Sequence, residues 1–191
     1  MTNKEEFIKI LEENCKNRFY NLKEFVKYLE DKTDFFDAPA STKYHLSEKG
    51  GLVKHSLNVY HTLKNLCCLY AENISQDSIA IVGLLHDLCK TNFYALEQKN
   101  VKTNYGWTTQ WGYTIDDQYP IGHGEKSVIL LQPYIKLTKD EILAIRWHMG
   151  GFDNAFKGGE IAYSKAISVC KLLSLLEISD LLSTRILESD N

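Results

Sequence analysis

The stretch Ile81-Val-Gly-Leu-Leu-His-Asp-Leu-Cys-Lys90 decides how this chain is organised. Five mostly apolar residues lead directly into His86 and Asp87, so an imidazole and a carboxylate are carried toward a hydrophobic core. Burying an unpaired charge is costly, which means that these side chains need partners. Neutral imidazole and carboxylate are good ligands for divalent cations such as Mn²⁺, Fe²⁺, Ni²⁺ or Zn²⁺. Because one pair cannot complete a coordination shell, we expect further ligands elsewhere in the chain.

The composition limits the classes of protein that this chain can belong to. Its 191 residues fit one domain that can bury a full core without disulfides. The net charge of −3 argues against a strongly basic nucleic-acid-binding surface. The five cysteines include the adjacent pair Cys67-Cys68 but no C-x-x-C, which indicates reduced thiols in the cytoplasm. No apolar run approaches the roughly 18 residues of a membrane helix, so we expect neither a membrane span nor a signal peptide.

Hydrophobic periodicity predicts a mostly helical chain, and we interpret residues 1–191 as one domain. Residues 1–34 form an N-terminal helical scaffold and residues 39–182 form the core. Two capping boxes, Thr2-x-x-Glu5 and Thr138-x-x-Glu141, mark helix starts. The remaining predicted helices are 19–29, 52–70, a helix from Ser75 or Asp77 to His86, 123–131 and one long helix from Tyr163 to Leu187.

Residues 99–119 differ in kind from the rest of the chain. Aromatic residues alternate there with Thr, Gln and Gly, which predicts a two-stranded hairpin or an ordered loop inserted into the helical body. We favour a small satellite core or an oligomer contact for these aromatics; the alternative is that they stack on a nucleobase. The acidic pair Asp116-Asp117 that follows disfavours a polyanion. The aromatic residues concerned are Tyr105, Trp107, Trp111 and Tyr113.

Three predicted helices each carry a polar group within an apolar stripe. His55 and Asp180 share helix faces with apolar neighbours, and His86-Asp87 ends the third helix. A lone histidine of this kind is usually a satisfied core residue, and Asp180 alone is explained equally well as an N-cap or a buried hydrogen-bond acceptor. Three breaks in the pattern on three helices are hard to attribute to chance. A shared metal site would explain all of them.

The order of these residues resembles the HD superfamily of metal-dependent phosphohydrolases. His55 comes first, then His86-Asp87, then the distant Asp180. The run Gly50-Gly-Leu-Val-Lys-His55 is similar to the GGLxxH start of the first ligand helix in that family. The run His86-Asp-Leu-Cys-Lys90 is similar to the HDxxK version of the family signature.

The resemblance extends from about Pro39 to Leu182 and includes Ser179-Asp180, which is similar to the small-residue-plus-aspartate ending of the family. It implies an all-α fold, an HD-domain helical bundle, with the aromatic segment as a small insertion. It also implies a bound divalent metal, one or two ions of Mn, Fe, Ni, Co, Zn or Mg. The residues that it assigns to one ion are His55, His86, Asp87 and Asp180.

Members of the family with two ions hold the second one with later histidines. The resemblance then implies that Asp87 bridges the two ions and that His123 and His148 bind the second. Those members commonly have two adjacent histidines followed by glycine, whereas Met149 follows His148 here. Whether one ion or two are bound is therefore open. With one ion, His123 and His148 would contact the substrate instead.

Such a site suits hydrolysis of a phosphate ester, in which Asp87 and Lys90 are the predicted catalytic residues. Lys90 and Arg146 could neutralise charge on the phosphoryl group, although such cations near helix C-termini usually only face solvent. His45 is a further predicted substrate contact, because the exoribonuclease-like members have a similar loop. Glu125 could act as a general acid or base, but the helix dipole explains its position equally well.

The sequence therefore favours a cytoplasmic, metal-dependent phosphohydrolase that acts on a nucleotide or on another small phosphomonoester or phosphodiester. One alternative is a 3′-to-5′ exoribonuclease-like HD hydrolase, and another is a non-catalytic nucleotide-sensing HD module. The expected partner is a small phosphorylated substrate. We expect no membrane contact, nucleic acid remains the partner of the nuclease alternative, and the sequence leaves the oligomeric state open.

Overall fold

The computed structural model describes residues 1–103 and 106–189, and these residues are mostly helical, as predicted. The helices and strands in chain order are α1 (Asn3–Cys15), α2 (Leu22–Asp31), α3 (Gly51–Tyr70), α4 (Gln76–Leu85), β1 (Tyr94–Thr103), β2 (Gly106–Ile115), α5 (His123–Leu131), α6 (Lys139–Trp147), α7 (Asn154–Lys157), α8 (Ala162–Val169) and α9 (Lys171–Leu182).

Local sequence signals fix the starts of several helices. Both predicted capping boxes are present, since the backbone N–H of Glu5 donates to Thr2 and that of Glu141 donates to Thr138. In each box the glutamate side chain accepts from the backbone N–H of the threonine, at 2.7 Å. These reciprocal bonds satisfy backbone donors that the first helical turn leaves unpaired. Of the two predicted N-caps for α4, the structure selects Ser75.

Helix α4 lies at the centre of the bundle, where it packs against α1, α3, α6 and α9. Every residue from Ile79 to Leu85 is buried, so no face of its second half is polar. The approach of α3 to α4 is very close, because a Cβ added at Gly83 would lie 2.8 Å from the Cα of Tyr60. A glycine at this crossing therefore allows the two helices that carry His55 and His86 to converge.

The aromatic insertion is an antiparallel hairpin, but it begins earlier than the predicted boundary at residue 99. Strand β1 starts at Tyr94, which pairs with Ile115 of β2. The first residue of β1 contacts the helical body, since the Tyr94 hydroxyl donates to the carbonyl oxygen of Ala40 at 3.2 Å. This long-range contact, rather than a sequence signal, sets the base of the hairpin.

The tryptophans of the hairpin do not form a satellite core among the described residues. Trp107 and Trp111 project from the same face of β2, and their exposed fractions are 74% and 64%. That part of the prediction is wrong, because the hairpin has no third strand or helix to cover this face in the described part of the chain. The oligomer contact and the stacking of a nucleobase stay predictions. Tyr105 lies outside the described residues.

The last predicted helix, Tyr163 to Leu187, is wrong as a single element. The chain breaks at Cys170, which has extended backbone angles, and α9 continues into a π-helical turn over Ser183–Leu187. No glycine or proline marks the break. Instead, Cys170 is buried and its thiol donates to the carbonyl oxygen of Asp140, at 3.5 Å. Tertiary packing therefore overrides a continuous helical pattern. Among the described residues, no helix combines the length and the apolar character that crossing a membrane requires.

Candidate metal centre

Five helices bring the predicted ligands to one place. His55 lies in the second turn of α3, and Asp180 lies near the end of α9. His86 and His148 each follow the last residue of their helix, α4 and α6, whereas His123 opens α5. Helix ends direct these side chains inward while the helix bodies form the core. The ligands that the structure brings together are His55, His86, Asp87, His123, His148 and Asp180.

The first set of donor atoms has the spacing of a metal site. The Nε2 atom of His55 lies 3.3 Å from that of His86, 3.3 Å from Oδ1 of Asp180 and 3.5 Å from Oδ2 of Asp87. His86 Nε2 lies 3.6 Å from the same Asp87 oxygen. Two ligands bound tetrahedrally at about 2.0–2.1 Å from an ion are about 3.3–3.4 Å apart, so these atoms fit around one ion.

Hydrogen bonds on the far side of each ring orient the histidines. The Nδ1–H of His86 donates to the carbonyl oxygen of Gly83 at 3.0 Å, and that of His148 donates to Ile145 at 2.7 Å. When a ring is neutral with its proton on Nδ1, the lone pair is on Nε2, which is the atom that faces the site. His148 Nε2 is buried and has no hydrogen-bond partner among residues 1–103 and 106–189. An unpaired, buried lone pair of this kind suits a metal ion.

Asp87 lies between two sets of imidazoles and turns one carboxylate oxygen toward each. Its Oδ2 atom faces His55 and His86, whereas its Oδ1 atom lies 2.7 Å from His123 Nε2 and 3.4 Å from His148 Nε2. Burial by itself would raise the pKa of Asp87, but the positive charge of Lys90 and the hydrogen bond from His123 lower it well below its ordinary value. The carboxylate is therefore ionised and can offer both oxygens.

Comparison with known families agrees with this geometry. A family model described as the HD domain matches residues 52–185, which is well over half of the chain. This chain belongs to the HD domain family. The matched range contains all six of the residues that converge on the centre. A search of curated proteins found no match. A search of solved structures found none either.

The HD centre also contains a residue that the sequence prediction missed, Glu188. Its buried carboxylate accepts from Nδ1 of His55, at 3.1 Å, and from Nδ1 of His45, at 2.6 Å. The Asn58 amide donates to it as well, at 2.9 Å. Burial would raise the pKa of Glu188, but these bonds lower it far below its ordinary value. Glu188 follows the π-helical turn, and no local pattern marks it as a partner of His55.

The histidines of the first set differ in their affinity for protons. Burial lowers the pKa of His86 to about 3, so this ring is neutral. Burial would also lower the pKa of His55, but hydrogen bonds to Asp180, Asp87 and Glu188 raise it well above its ordinary value. The surrounding carboxylates thus favour a positive charge at His55. A metal ion can supply that charge once it displaces the proton.

His123 experiences a similar environment on the other side of Asp87. Burial would lower its pKa, but Cys89 and the hydrogen bond to Asp87 raise it to about 10. The Cys89 thiol lies 3.3 Å from His123 Nδ1 and 3.5 Å from Nε2. Sequence reasoning did not assign Cys89 to the site, although it stands within the HDxxK run. The sequence signal that could have identified Cys89 is its position two residues after Asp87.

Of the three predicted substrate contacts, Lys90 and His45 lie at the centre. The Lys90 ammonium group lies 2.7 Å from Asp87 Oδ2. Burial would lower its pKa, but the charge of Asp87 raises it, so the ammonium keeps its proton. The ring of His45 lies 5.0 Å from that of His55, centroid to centroid, and is tied to it through Glu188. Their roles toward a substrate stay predictions.

Arg146 is already paired with two carboxylates. Its guanidinium lies 2.6 Å from Glu125 and 2.9 Å from Asp153, and it stacks over the ring of Trp147. The charge that was predicted to meet a phosphoryl group is therefore balanced within the protein. The ion pair with Arg146 likewise explains why a glutamate stands at position 125 without an acid or base role. The second carboxylate oxygen of Glu125 is buried and has no hydrogen-bond partner among the described residues. His61 is exposed and lies 2.8 Å from Glu6.

Proposed function

We propose that this HD-domain protein is a metal-dependent phosphohydrolase that cleaves a nucleotide or another small phosphoester. The observation that carries the proposal is the convergence of two Nε2 lone pairs and two carboxylates, from His55, His86, Asp87 and Asp180, at spacings of 3.3–3.6 Å. A divalent ion held there would lower the pKa of a coordinated water toward about 7 and polarise the phosphoryl oxygens of a substrate.

The residues of the chain would then position the substrate and balance its charge. Lys90 keeps its proton beside Asp87, and its side chain is partly exposed, so its ammonium can neutralise charge that grows on a phosphoryl group. Gly83, Ile145 and Glu188 hold the Nδ1 atoms of three histidines and prevent those rings from turning. A centre fixed in this way does not have to reorganise when the substrate binds.

The preference for a nucleotide has support from the hairpin. Trp107 and Trp111 offer two exposed aromatic faces on one side of β2, and such faces stack on nucleobases. The hairpin starts four residues after Lys90, and Trp111 lies four residues, or about 13 Å, from that end of β2, whereas Trp107 lies near the opposite end. Trp111 is therefore the ring closer to a substrate at the centre. A phosphoester that carries no nucleobase would not use these tryptophan side chains. The comparison of nucleotide and non-nucleotide substrates therefore tests this part of the proposal.

The test begins with protein purified without chelator. We expect it to contain a transition metal, or to show a higher melting temperature when Mn²⁺, Ni²⁺ or Co²⁺ is added. Metal-dependent hydrolysis should appear on a panel of phosphomonoesters and phosphodiesters and disappear in Asp87→Ala. His61→Ala is the matched control, since His61 is exposed and contacts Glu6 and Tyr60 rather than the centre, and it should retain full activity.

Three outcomes would contradict the proposal in different ways. Absence of any metal effect on stability and hydrolysis would refute the enzyme assignment. Tight binding of a nucleotide without turnover would support the sensing module instead. Cleavage of short single-stranded RNA with binding that weakens steeply as salt is added would support the exoribonuclease alternative.

A further inference from the structure

Strand β2 has an exposed edge that lacks the features by which edge strands normally avoid pairing with other molecules. Its 10 residues, Gly106–Ile115, include no charged residue and no proline, whereas β1 carries Glu97, Lys99 and Lys102. The sheet has two strands, so neither edge meets a third strand in the described part of the chain. Charges, proline and bulges are the usual protection of a free edge. By this criterion β1 is a protected edge and β2 is an open one.

The hydrogen-bond pattern of the hairpin shows which backbone groups this edge offers. The Asp116 N–H donates to the carbonyl oxygen of Phe93 at 2.9 Å, so the even-numbered residues of β2 are the ones that bond to β1. Residues alternate in an antiparallel ladder, and the odd-numbered ones therefore direct their N–H and C=O groups away from β1. Trp107, Thr109 and Trp111 are among these, and their backbone groups form the open edge.

A lysine limits how much of that edge is free. The side chain of Lys99 crosses β2 beside Gly112, and its ammonium group donates to the carbonyl oxygen of Tyr113. That oxygen is one of the groups directed away from β1, so its place on the edge is already taken. The free part therefore consists of residues 106–112, and Thr109 lies at its centre.

The side chains of this segment suit antiparallel pairing with a second copy of itself. About a twofold axis at Thr109, Trp107 lies opposite the partner's Trp111. The register with β1 places both tryptophans on one face of the sheet, so they meet as a cross-strand aromatic pair, which stabilises a sheet. No like charges meet across the axis, because the segment contains no charge. Ile115, at the base of the hairpin, is about 20 Å along the strand from Thr109, so the two helical bodies lie on opposite sides of the axis.

We propose that this protein forms a symmetric dimer in which the β2 strands of two copies pair through residues 106–112. The pairing makes one four-stranded sheet with the strand order β1, β2, β2, β1. A two-stranded sheet is only marginally stable in water, whereas more strands with an apolar face are stable by themselves. The outer edges of the new sheet are the charged β1 strands, so the assembly closes as a dimer and does not grow further.

Backbone hydrogen bonds supply most of the specificity of this interface. Trp107, Thr109 and Trp111 each offer one N–H and one C=O, which gives about six hydrogen bonds across the axis. Typical specific interfaces contain about 5–15, so we expect a dimer with a dissociation constant in the micromolar range. The dimer does not depend on the metal centre or on the proposed function. It leaves the aromatic face uncovered and brings the partner's Trp107 beside Trp111, the tryptophan closer to the centre.

Sedimentation velocity of the full chain across the micromolar range tests the dimer. Thr109→Pro removes an N–H that points to the open edge and leaves the bonds to β1 in place, so the dissociation constant should rise at least about 10- to 100-fold. Asn100→Pro is the matched control and should dimerise like the parent. Asn100 is the cross-strand partner of Thr109 and directs its N–H to the β1 edge, and both variants lose the hydrogen bond between these two side chains.

Charges introduced at the axis test the same contact without a change in the backbone. Thr109→Lys places two ammonium groups opposite each other, and Thr109→Asp places two carboxylates there, so each variant alone should be monomeric. An equimolar mixture of the two variants should dimerise again, because opposite charges then face each other. This rescue is expected only if position 109 of one copy meets position 109 of the other.

Three results would overturn the proposal. The first is a parent chain that stays monomeric throughout the micromolar range. The second is a dimer that survives both Thr109→Pro and Thr109→Lys, because the interface would then lie elsewhere. The third is an equal loss of dimer in Thr109→Pro and Asn100→Pro, which would show that the β2 edge is not the contact. Metal-dependent hydrolysis by a monomer would leave the proposed function standing while the dimer fails.

Discussion

Replacement of Gly83 by alanine should damage both the packing of the bundle and its metal centre. The added Cβ would lie 2.8 Å from the Cα of Tyr60 and 3.2 Å from its Cβ. The nearest atom belongs to the backbone of α3, so it cannot move aside as a flexible side chain would. Ordinary contact begins at 3.4 Å, and α3 and α4 must therefore separate by about 0.6 Å at their crossing.

The magnitude follows from two opposing effects. Alanine is favoured over glycine inside a helix by about 0.5–1 kcal/mol. Overpacking a tight core costs about 1–3 kcal/mol. The cost of overpacking should exceed the gain in helix propensity, since the neighbouring atom belongs to the backbone. We therefore expect the free energy of unfolding to fall by about 1–2 kcal/mol. For a chain of this size that corresponds to a melting temperature lower by roughly 2–8 °C.

The same displacement should weaken metal binding. His55 on α3 and His86 at the end of α4 have their Nε2 atoms 3.3 Å apart, and the carbonyl oxygen of Gly83 holds the His86 ring. Separation of the helices moves one ligand away from the other, so the affinity for Co²⁺ or Mn²⁺ should fall together with the melting temperature. Calorimetric titration of the metal-free protein and thermal unfolding without metal measure the two effects separately.

Gly151→Ala is the matched control, because a Cβ added there meets no atom within 4 Å. It should change the melting temperature little and leave the metal affinity unchanged. If Gly83→Ala were as stable as the parent, or more stable, and bound the metal equally well, the inference that this crossing sets the ligand spacing would be refuted.

Other predictions concern the groups that support the bundle and the centre. Arg18 lies 2.5 Å from Asp77 and 2.9 Å from the fully buried Glu141, so Arg18→Met should lower the free energy of unfolding in urea by about 3–5 kcal/mol; a loss below 1 kcal/mol would contradict the importance of this pairing. Burial would raise the pKa of Asp77, but hydrogen bonds to Ser75 and Arg18 lower it, so its contribution to stability is present above pH about 4 and lost as the pH falls through the folded-state pKa. Urea unfolding between pH 5 and pH 3 should therefore show a smaller loss of stability in Asp77→Asn than in the parent, and equal losses would refute the shift. Glu188→Gln should weaken metal binding about 10- to 100-fold in calorimetric titration, whereas an unchanged affinity would mean that Glu188 does not orient its histidine.

Local patterns in the sequence predict the helical body well. The capping boxes at Thr2 and Thr138 and the apolar periodicity of α3 and α4 depend on residues within a few positions of one another, so a single chain segment specifies them. The same patterns bring out His55, His86-Asp87 and Asp180, because each is a polar group on an otherwise apolar helix face. The all-α fold with its hairpin is confirmed, as is the family.

Contacts between distant segments decide the remaining features. Glu188 is 133 residues from His55, and nothing near it in the sequence indicates that its carboxylate will hold that ring. The break at Cys170 likewise depends on the carbonyl of Asp140 rather than on a helix-breaking residue. Long-range pairing of this kind depends on how the helices are placed, which local propensity does not fix.

The sequence by itself determined which residues can bind a metal, since their chemistry and their positions on apolar helix faces are local properties. Only the tertiary structure decided how they are divided around Asp87. It turned one oxygen toward His55 and His86, and the other toward His123 and His148. The physical reason is that the direction of a carboxylate depends on side chains from several helices, and these meet only when the bundle is formed.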